Sequence, residues 1–196
     1  MNDILSGINL YLIGMMGSGK TTVGRLLATE LGYRFFDTDE LIESVAHQSI
    51  NEIFATEGED GFRKLETEVL AELSAYTRLA IATGGGIVER QKNWSYLQYG
   101  LVVWLHVPVE VLIRRLAEDT TRPLLKDADP AGKLQMLFNQ RQSLYAQADL
   151  KITVSDDETP EQIAAQVMKA IPTVLKPPRD RGNKGDNGDN GGKENF

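Results

Sequence analysis

Residues 14–21 read Gly-Met-Met-Gly-Ser-Gly-Lys-Thr and satisfy the pattern G-x-x-x-x-G-K-[ST]. That pattern dictates much of the chain around it. Its glycines let the backbone turn through positive φ and approach an anion closely. Successive N–H groups then form a concave nest suited to a phosphate. Lys20 adds a compact positive charge that reaches the outer phosphates of a nucleoside triphosphate, and the Thr21 hydroxyl is a hard oxygen donor suited to Mg²⁺. Residues 8–13 before the loop form an apolar run that reads as a buried strand, and Thr22 onward begins an amphipathic helix. The helix N-terminus would point its positive end at the phosphates. The competing reading is a glycine-rich turn that binds nothing.

Strand and helix patterns alternate along the rest of the chain, which predicts an α/β fold with a parallel sheet. Gly32 stops the first helix. Residues 34–36 form a short second strand running into Asp37-Thr38-Asp39, where Thr38 is expected to cap a helix from 39 to about 46. Ser49-Ile50-Asn51-Glu52 is a capping box for a short helix ending near Gly58. Residues 59–75 form a longer helix, with Phe62, Leu65, Val69, Leu70 and Leu73 on one face. Two or three helices thus separate strand two from strand three where one would suffice, and the excess is expected to build a substrate site.

The third strand, 79–82, ends in Thr83-Gly84-Gly85-Gly86, and 101–105 is the fourth. Pro108 takes the first position of a helix reaching about Leu116. The polar stretch 118–129 is expected to be a lid-like loop. A helix to about Gln147, a fifth strand over 150–154 and a last helix capped by Thr159 and ending before Pro172 follow. Residues 176–196 are rich in Pro, Gly, Asn and charge and are expected to be a disordered tail.

Proteins with a loop like 14–21 commonly hold the hydrated Mg²⁺ with an Asp at the end of an apolar strand. The third strand here ends without a carboxylate. The nearest strand-end acids are Asp37 and Asp39, spaced so that one can serve the metal while the other faces an adjacent pocket. Alternatively both simply cap the next helix. The glycines at 84–86 remove side chains where a ligand must touch backbone, at the strand end where open α/β sheets bind ligands. Three arginines are candidates for anion recognition: Arg63, one turn before Glu66, Arg122 in the lid stretch, and Arg141 on the helix after it. An arginine on a closing loop also suits the charge of a transferring phosphoryl group. His47 and His106 have no metal-ligand spacing, and the tryptophans, tyrosines and phenylalanines read as packing.

A length of 196 residues suits one domain with a substantial core. The absence of cysteine excludes disulfides, thiolate metal sites and a cysteine nucleophile. A formal charge of −7 argues against a general nucleic-acid binder. No apolar run approaches the ~20 residues that cross a bilayer, and Met1-Asn2-Asp3 does not open a signal peptide, so a cytoplasmic protein is expected. No further apolar stripe is evident, which favours a monomer.

Gly14 to Thr21, Phe35-Phe36-Asp37-Thr38-Asp39, Phe62-Arg63-x-x-Glu66, Thr83-Gly84-Gly85-Gly86 and Arg122-Pro123-Leu124-Leu125, in this order, resemble the shikimate kinase family over about residues 8–171. The first motif is shared by many enzymes; the combination is far more specific. The resemblance implies a nucleoside-monophosphate-kinase-like fold, an α/β domain over residues 1–175 with a five-stranded parallel sheet in the order 2-3-1-4-5. It implies transfer of the γ-phosphoryl group of ATP to the 3-hydroxyl of shikimate, giving 3-phosphoshikimate and ADP, on the chorismate route to aromatic amino acids. Carried over by position, Gly17, Ser18, Gly19, Lys20, Thr21 and Thr22 hold the ATP phosphates, with Mg²⁺ on Thr21 and, through water, Asp37. Asp39 contacts the shikimate hydroxyls as candidate base, Arg63 and Arg141 grip its carboxylate, and Gly85 meets a hydroxyl through its backbone. Arg122 comes to ATP with the lid, so that Lys20, Asp39 and Arg122 form the catalytic set, while Arg115 resembles an adenine-stacking arginine. The tail has no counterpart in the family pattern. The rivals are a gluconate or nucleotide kinase on the same fold, and a non-catalytic ATP-binding module.

Overall fold

Strand β1 (Leu10–Ile13) is buried along its whole length. An unbroken apolar run is what a strand needs when both of its faces are covered. It pairs in parallel with β3 (Leu79–Ala82) on one side and β4 (Leu101–His106) on the other, with Leu10 opposite both Ala80 and Leu101. β2 (Arg34–Asp37) lies outside β3, and β5 (Leu150–Thr153) outside β4. The sheet therefore runs 2-3-1-4-5 with every pair parallel, as the resemblance implies. This description comes from a computed structural model covering residues 4–117 and 129–175. The expected lid with Arg122, up to residue 128, and the expected tail 176–196 lie outside the described residues.

Seven α-helices flank the sheet among the described residues: α1 (Lys20–Leu31), α2 (Thr38–Ala46), α3 (Ile50–Ser74), α4 (Gln91–Leu97), α5 (Val109–Leu116), α6 (Pro130–Tyr145) and α7 (Pro160–Val174). α1 packs on α7, α3 on both α2 and α4, and α5 on α6. Gly32 closes α1 in the left-handed conformation, its N–H directed to the Ala28 and Thr29 carbonyls. The capping boxes at Ser49/Glu52 and Thr159/Gln162 both form.

Several boundaries differ from expectation. Asp37, not Thr38, caps α2: the last residue of β2 is extended, and its carboxylate accepts the Asp39 N–H at 2.9 Å. Thr38 is instead buried in the first turn, where its Oγ1 accepts the Gly84 N–H at 2.9 Å. The stop near Gly58 is a kink within α3, with Gly58 at φ 70° and ψ −175°. Pro108 is the cap of α5 and not its first residue. α7 runs through Pro172 to Val174 and does not end before the proline. The stretch after the glycines carries no sequence expectation. It forms a 3₁₀ turn (Ile87–Glu89) and α4, tied together by buried Asn93, whose Nδ2 donates to the Ile87 carbonyl at 2.8 Å.

Candidate active site

The loop at 14–21 leaves the carboxyl end of β1 and turns directly into α1. Gly19 caps that helix at φ 89°, and a β-carbon on Gly14 would stand 2.6 Å from the Leu105 carbonyl oxygen. Side chains larger than hydrogen are barred from both positions. Lys20 is buried, and its Nζ donates to the carbonyls of Gly14 at 2.9 Å and Met15 at 2.8 Å. The ammonium is thereby fixed inside the curl of the loop. Thr21 Oγ1 donates to Asp37 Oδ2 at 2.7 Å, while Asp37 Oδ1 takes the α2 cap bond. Asp37 thus caps α2 and also stands against Thr21 at the start of α1. A hydroxyl and a carboxylate at the start of α1 are hard oxygen donors, so these residues fit Mg²⁺.

Asp39 and Glu66 meet at the glycine run. A β-carbon on Gly84 would stand 2.5 Å from Glu66 Oε1 and 2.9 Å from Asp39 Oδ1. At Gly86 it would collide with the Arg63 guanidinium. At Gly85 it would lie 3.8 Å from Arg141 Nη1 and 3.3 Å from the Met16 nitrogen of the phosphate loop. One short segment thus touches Asp39, Arg63, Arg141 and the phosphate loop. These are the residues the sequence nominated, brought together from β2–α2, α3 and α6.

Arg63 is buried and surrounded by carboxylates. Its Nη1 donates to Glu66 Oε2 at 2.9 Å, and its Nη2 faces Glu59 at 3.2 Å and Glu89 at 3.1 Å. Arg141 is also buried, and its Nε donates to Glu89 Oε1 at 3.0 Å. Burial opposes the Arg63 charge, but Glu66, Glu89 and Glu59 outweigh it and raise its pKa. Glu66 Oε1 and Arg63 Nε have no hydrogen-bond partner among the described residues. Buried polar atoms of that kind call for a further polar partner, a water or a ligand.

Burial pushes the Glu66 carboxyl up to about 7, against the pull of Arg63, with Asp39 and Glu89 adding to the push. Such a group binds its proton more tightly in the native chain than in the unfolded one. Its contribution to stability is complete below about pH 4.5 and is lost as pH rises to about 7. The urea unfolding free energy of the wild type, minus that of Glu66→Gln, is therefore expected to fall by roughly 2–3 kcal/mol between pH 4.5 and 8. A pH-independent difference would show that the Glu66 pKa is the same in the folded and unfolded chain.

Two participants escaped the sequence reading. Tyr145, one helical turn after Arg141, donates its phenol proton to the Gly85 carbonyl at 2.5 Å and lies 3.5 Å from the Met15 sulfur. Its i+4 spacing from Arg141 was a usable signal, hidden because tyrosine also suits plain packing. Glu89, three residues beyond the glycines, carried no signal at all. Arg115 is exposed in the last turn of α5. Arg122 lies outside the described residues.

A phosphate nest on the first strand of a 2-3-1-4-5 sheet, facing carboxylates and arginines at the neighbouring strand ends, defines a P-loop kinase of small molecules. A gluconokinase from Sinorhizobium meliloti has this fold, with a TM-score of 0.55 over 84% of this chain and 91% of its own, at 19% identity. Nearer relatives resolve the family. The family model for shikimate kinase matches residues 16–172. A shikimate kinase of Nostoc sp. is 64% identical over 176 residues, covering 90% of this chain and 97% of its own. The structure of shikimate kinase from Acinetobacter baumannii in complex with shikimate superposes with a TM-score of 0.83 at 41% identity, over 87% of this chain and 96% of that one. The chain belongs to the shikimate kinase family.

Proposed function

We propose that this chain transfers the γ-phosphoryl group of ATP to the 3-hydroxyl of shikimate, giving 3-phosphoshikimate and ADP. One observation carries the assignment of substrate residues. Two buried arginines from different helices, Arg63 on α3 and Arg141 on α6, converge on a single carboxylate, that of Glu89. A substrate carboxylate finds there the same pair of donors, and guanidinium suits it because its planar fork can make parallel bonds.

The rest of the site follows from that anchor. With the acid group on the arginines, Asp39 at Gly84 faces the ring hydroxyls, backed by buried Glu66, and the adjoining Gly85 backbone offers a polar contact. Gly17, Ser18, Gly19, Lys20, Thr21 and Thr22 cradle the ATP phosphates. Thr21 and Asp37 would hold Mg²⁺, which neutralises phosphate charge. Asp39 orients the acceptor hydroxyl and takes its proton as the oxygen–phosphorus bond forms. Lys20, fixed by two carbonyls, stabilises the charge that gathers on the phosphates as the bond to ADP breaks. Most of the rate comes from holding donor and acceptor in line, and the base adds to it. Arg122 is the second cation of this reading, and Arg115 the adenine contact. The same reading takes 1–175 as the catalytic domain and 176–196 as an appended tail. It also places the enzyme in the cytoplasm as a monomer. The net charge of −7 supports the absence of a nucleic-acid partner. Among the described residues no helix is long and apolar enough to cross a membrane.

The test is ADP release with ATP and, side by side, shikimate, gluconate and a nucleoside monophosphate. Shikimate alone is expected to be consumed, and Asp39→Asn is expected to lower kcat about 10²- to 10⁴-fold. Turnover of another acceptor without shikimate would overturn the reading.

A further inference from the structure

Glu89 is the one carboxylate among the described residues that bonds both arginines. Its Oε2 takes Arg63 Nη2 at 3.1 Å and its Oε1 takes Arg141 Nε at 3.0 Å. The other acids on Arg63 are placed differently. Glu66 is fully buried with no room to leave, and Glu59 pairs with Arg63 from its own helix. Glu89 ends the 3₁₀ turn after Gly86 and remains 32% exposed. It borders an open cleft of about 540 Å³ that also touches Gly58, Glu59, Asp60, Arg63 and Arg90. Its neighbour Arg90 is engaged elsewhere, with Asp60 at 3.2 Å. Glu89 therefore has donors to give up and open space to turn into.

The charges favour competition. Arg63 and Arg141 carry two positive charges, and Glu59, Glu66, Glu89 and Asp39 stand around them. A further carboxylate on these two guanidinium groups would stand close to Glu89, and like charges that near repel, so the two compete for the pair.

We propose that Glu89 is a built-in competitor for the substrate's carboxylate: it spans the Arg63–Arg141 pair, swings into the cleft when the acid arrives, and so sets substrate affinity. This rests on the assignment of the two arginines to the substrate's carboxylate. The affinity observed is then the intrinsic one reduced by the fraction of molecules in which Glu89 has released the pair. Glu89 is a residue that tunes specificity and affinity; it touches no reacting atom.

The experiment is calorimetric titration of the wild type, Glu89→Gln and Glu89→Ala with shikimate and with its methyl ester, together with kcat and KM. Both variants are expected to lower Kd and KM for shikimate by about tenfold, the gain appearing in binding and not in kcat. The ester, which brings no charge to the arginines, should bind the three proteins equally. Glu59→Gln, altering an acid that meets Arg63 alone, should change shikimate affinity less than about twofold. Weaker or unchanged shikimate binding in both Glu89 variants, while the wild type still prefers acid to ester, would overturn the proposal alone. A wild type that binds acid and ester alike would overturn it together with the carboxylate assignment. An equal gain in Glu59→Gln would also overturn it, by showing that bulk charge and not the shared pair is responsible.

Discussion

Lys20→Met is expected to abolish turnover, lowering kcat by about 10³-fold or more. The ammonium is pinned by the Gly14 and Met15 carbonyls in the loop proposed to receive the phosphates. Methionine fills a similar volume but supplies neither charge nor donor. Two carbonyl oxygens in a buried turn then lose a partner, so a secondary loss of about 1–3 kcal/mol in stability accompanies the loss of rate. Single-turnover assays with saturating ATP separate the two, and thermal melts measure the second. A variant that melts like the wild type but turns over normally would remove Lys20 from the chemistry.

The second large effect belongs to Arg63→Ala. Truncating one member of a buried, hydrogen-bonded charge pair costs about 2–5 kcal/mol in binding, so KM for shikimate should rise at least about 30-fold while KM for ATP changes little. Normal shikimate affinity would count against the whole assignment. The loss of stability should depend on pH. Without Arg63, Glu66 has lost its ion-pair partner in a fully buried position. It escapes the penalty only by binding a proton, which its raised pKa already favours. Denaturant titrations should therefore find the variant closer to wild type at pH 5.5 than at pH 8. Arg63→Lys should not rescue binding fully, since one ammonium cannot reproduce a fork that serves Glu66, Glu59 and Glu89 at once.

How much of this the sequence revealed varies with the range of the interaction. The strand order was implied by family motifs, and the strands themselves by short apolar runs between turn residues, as at 79–82. The phosphate loop was legible because its spacing encodes a local backbone shape. Asp37 was legible as a strand-end acid, but its double use was not: the cap bond to Asp39 is local, whereas the bond to Thr21 crosses from β2 to α1. Glu89 was invisible for the same reason. Its partners lie on α3 and α6, and nothing within a few residues of it changes with that pairing. The run 84–86 reads from sequence as room for a ligand. In the structure that room is also occupied from within, by Asp39, Glu66 and Arg63.

Two helices meet at the carboxylate of Asp37. It starts one helix and steadies the first turn of another, so the orientations of α1 and α2 share a single hinge pin. Asparagine would retain an oxygen for the backbone but surrender the charge. Glutamate would keep the charge on a stem too long to fold back onto an amide two residues away. The register of α1 and of α2 is thus welded at one position, and neither helix can drift without the other.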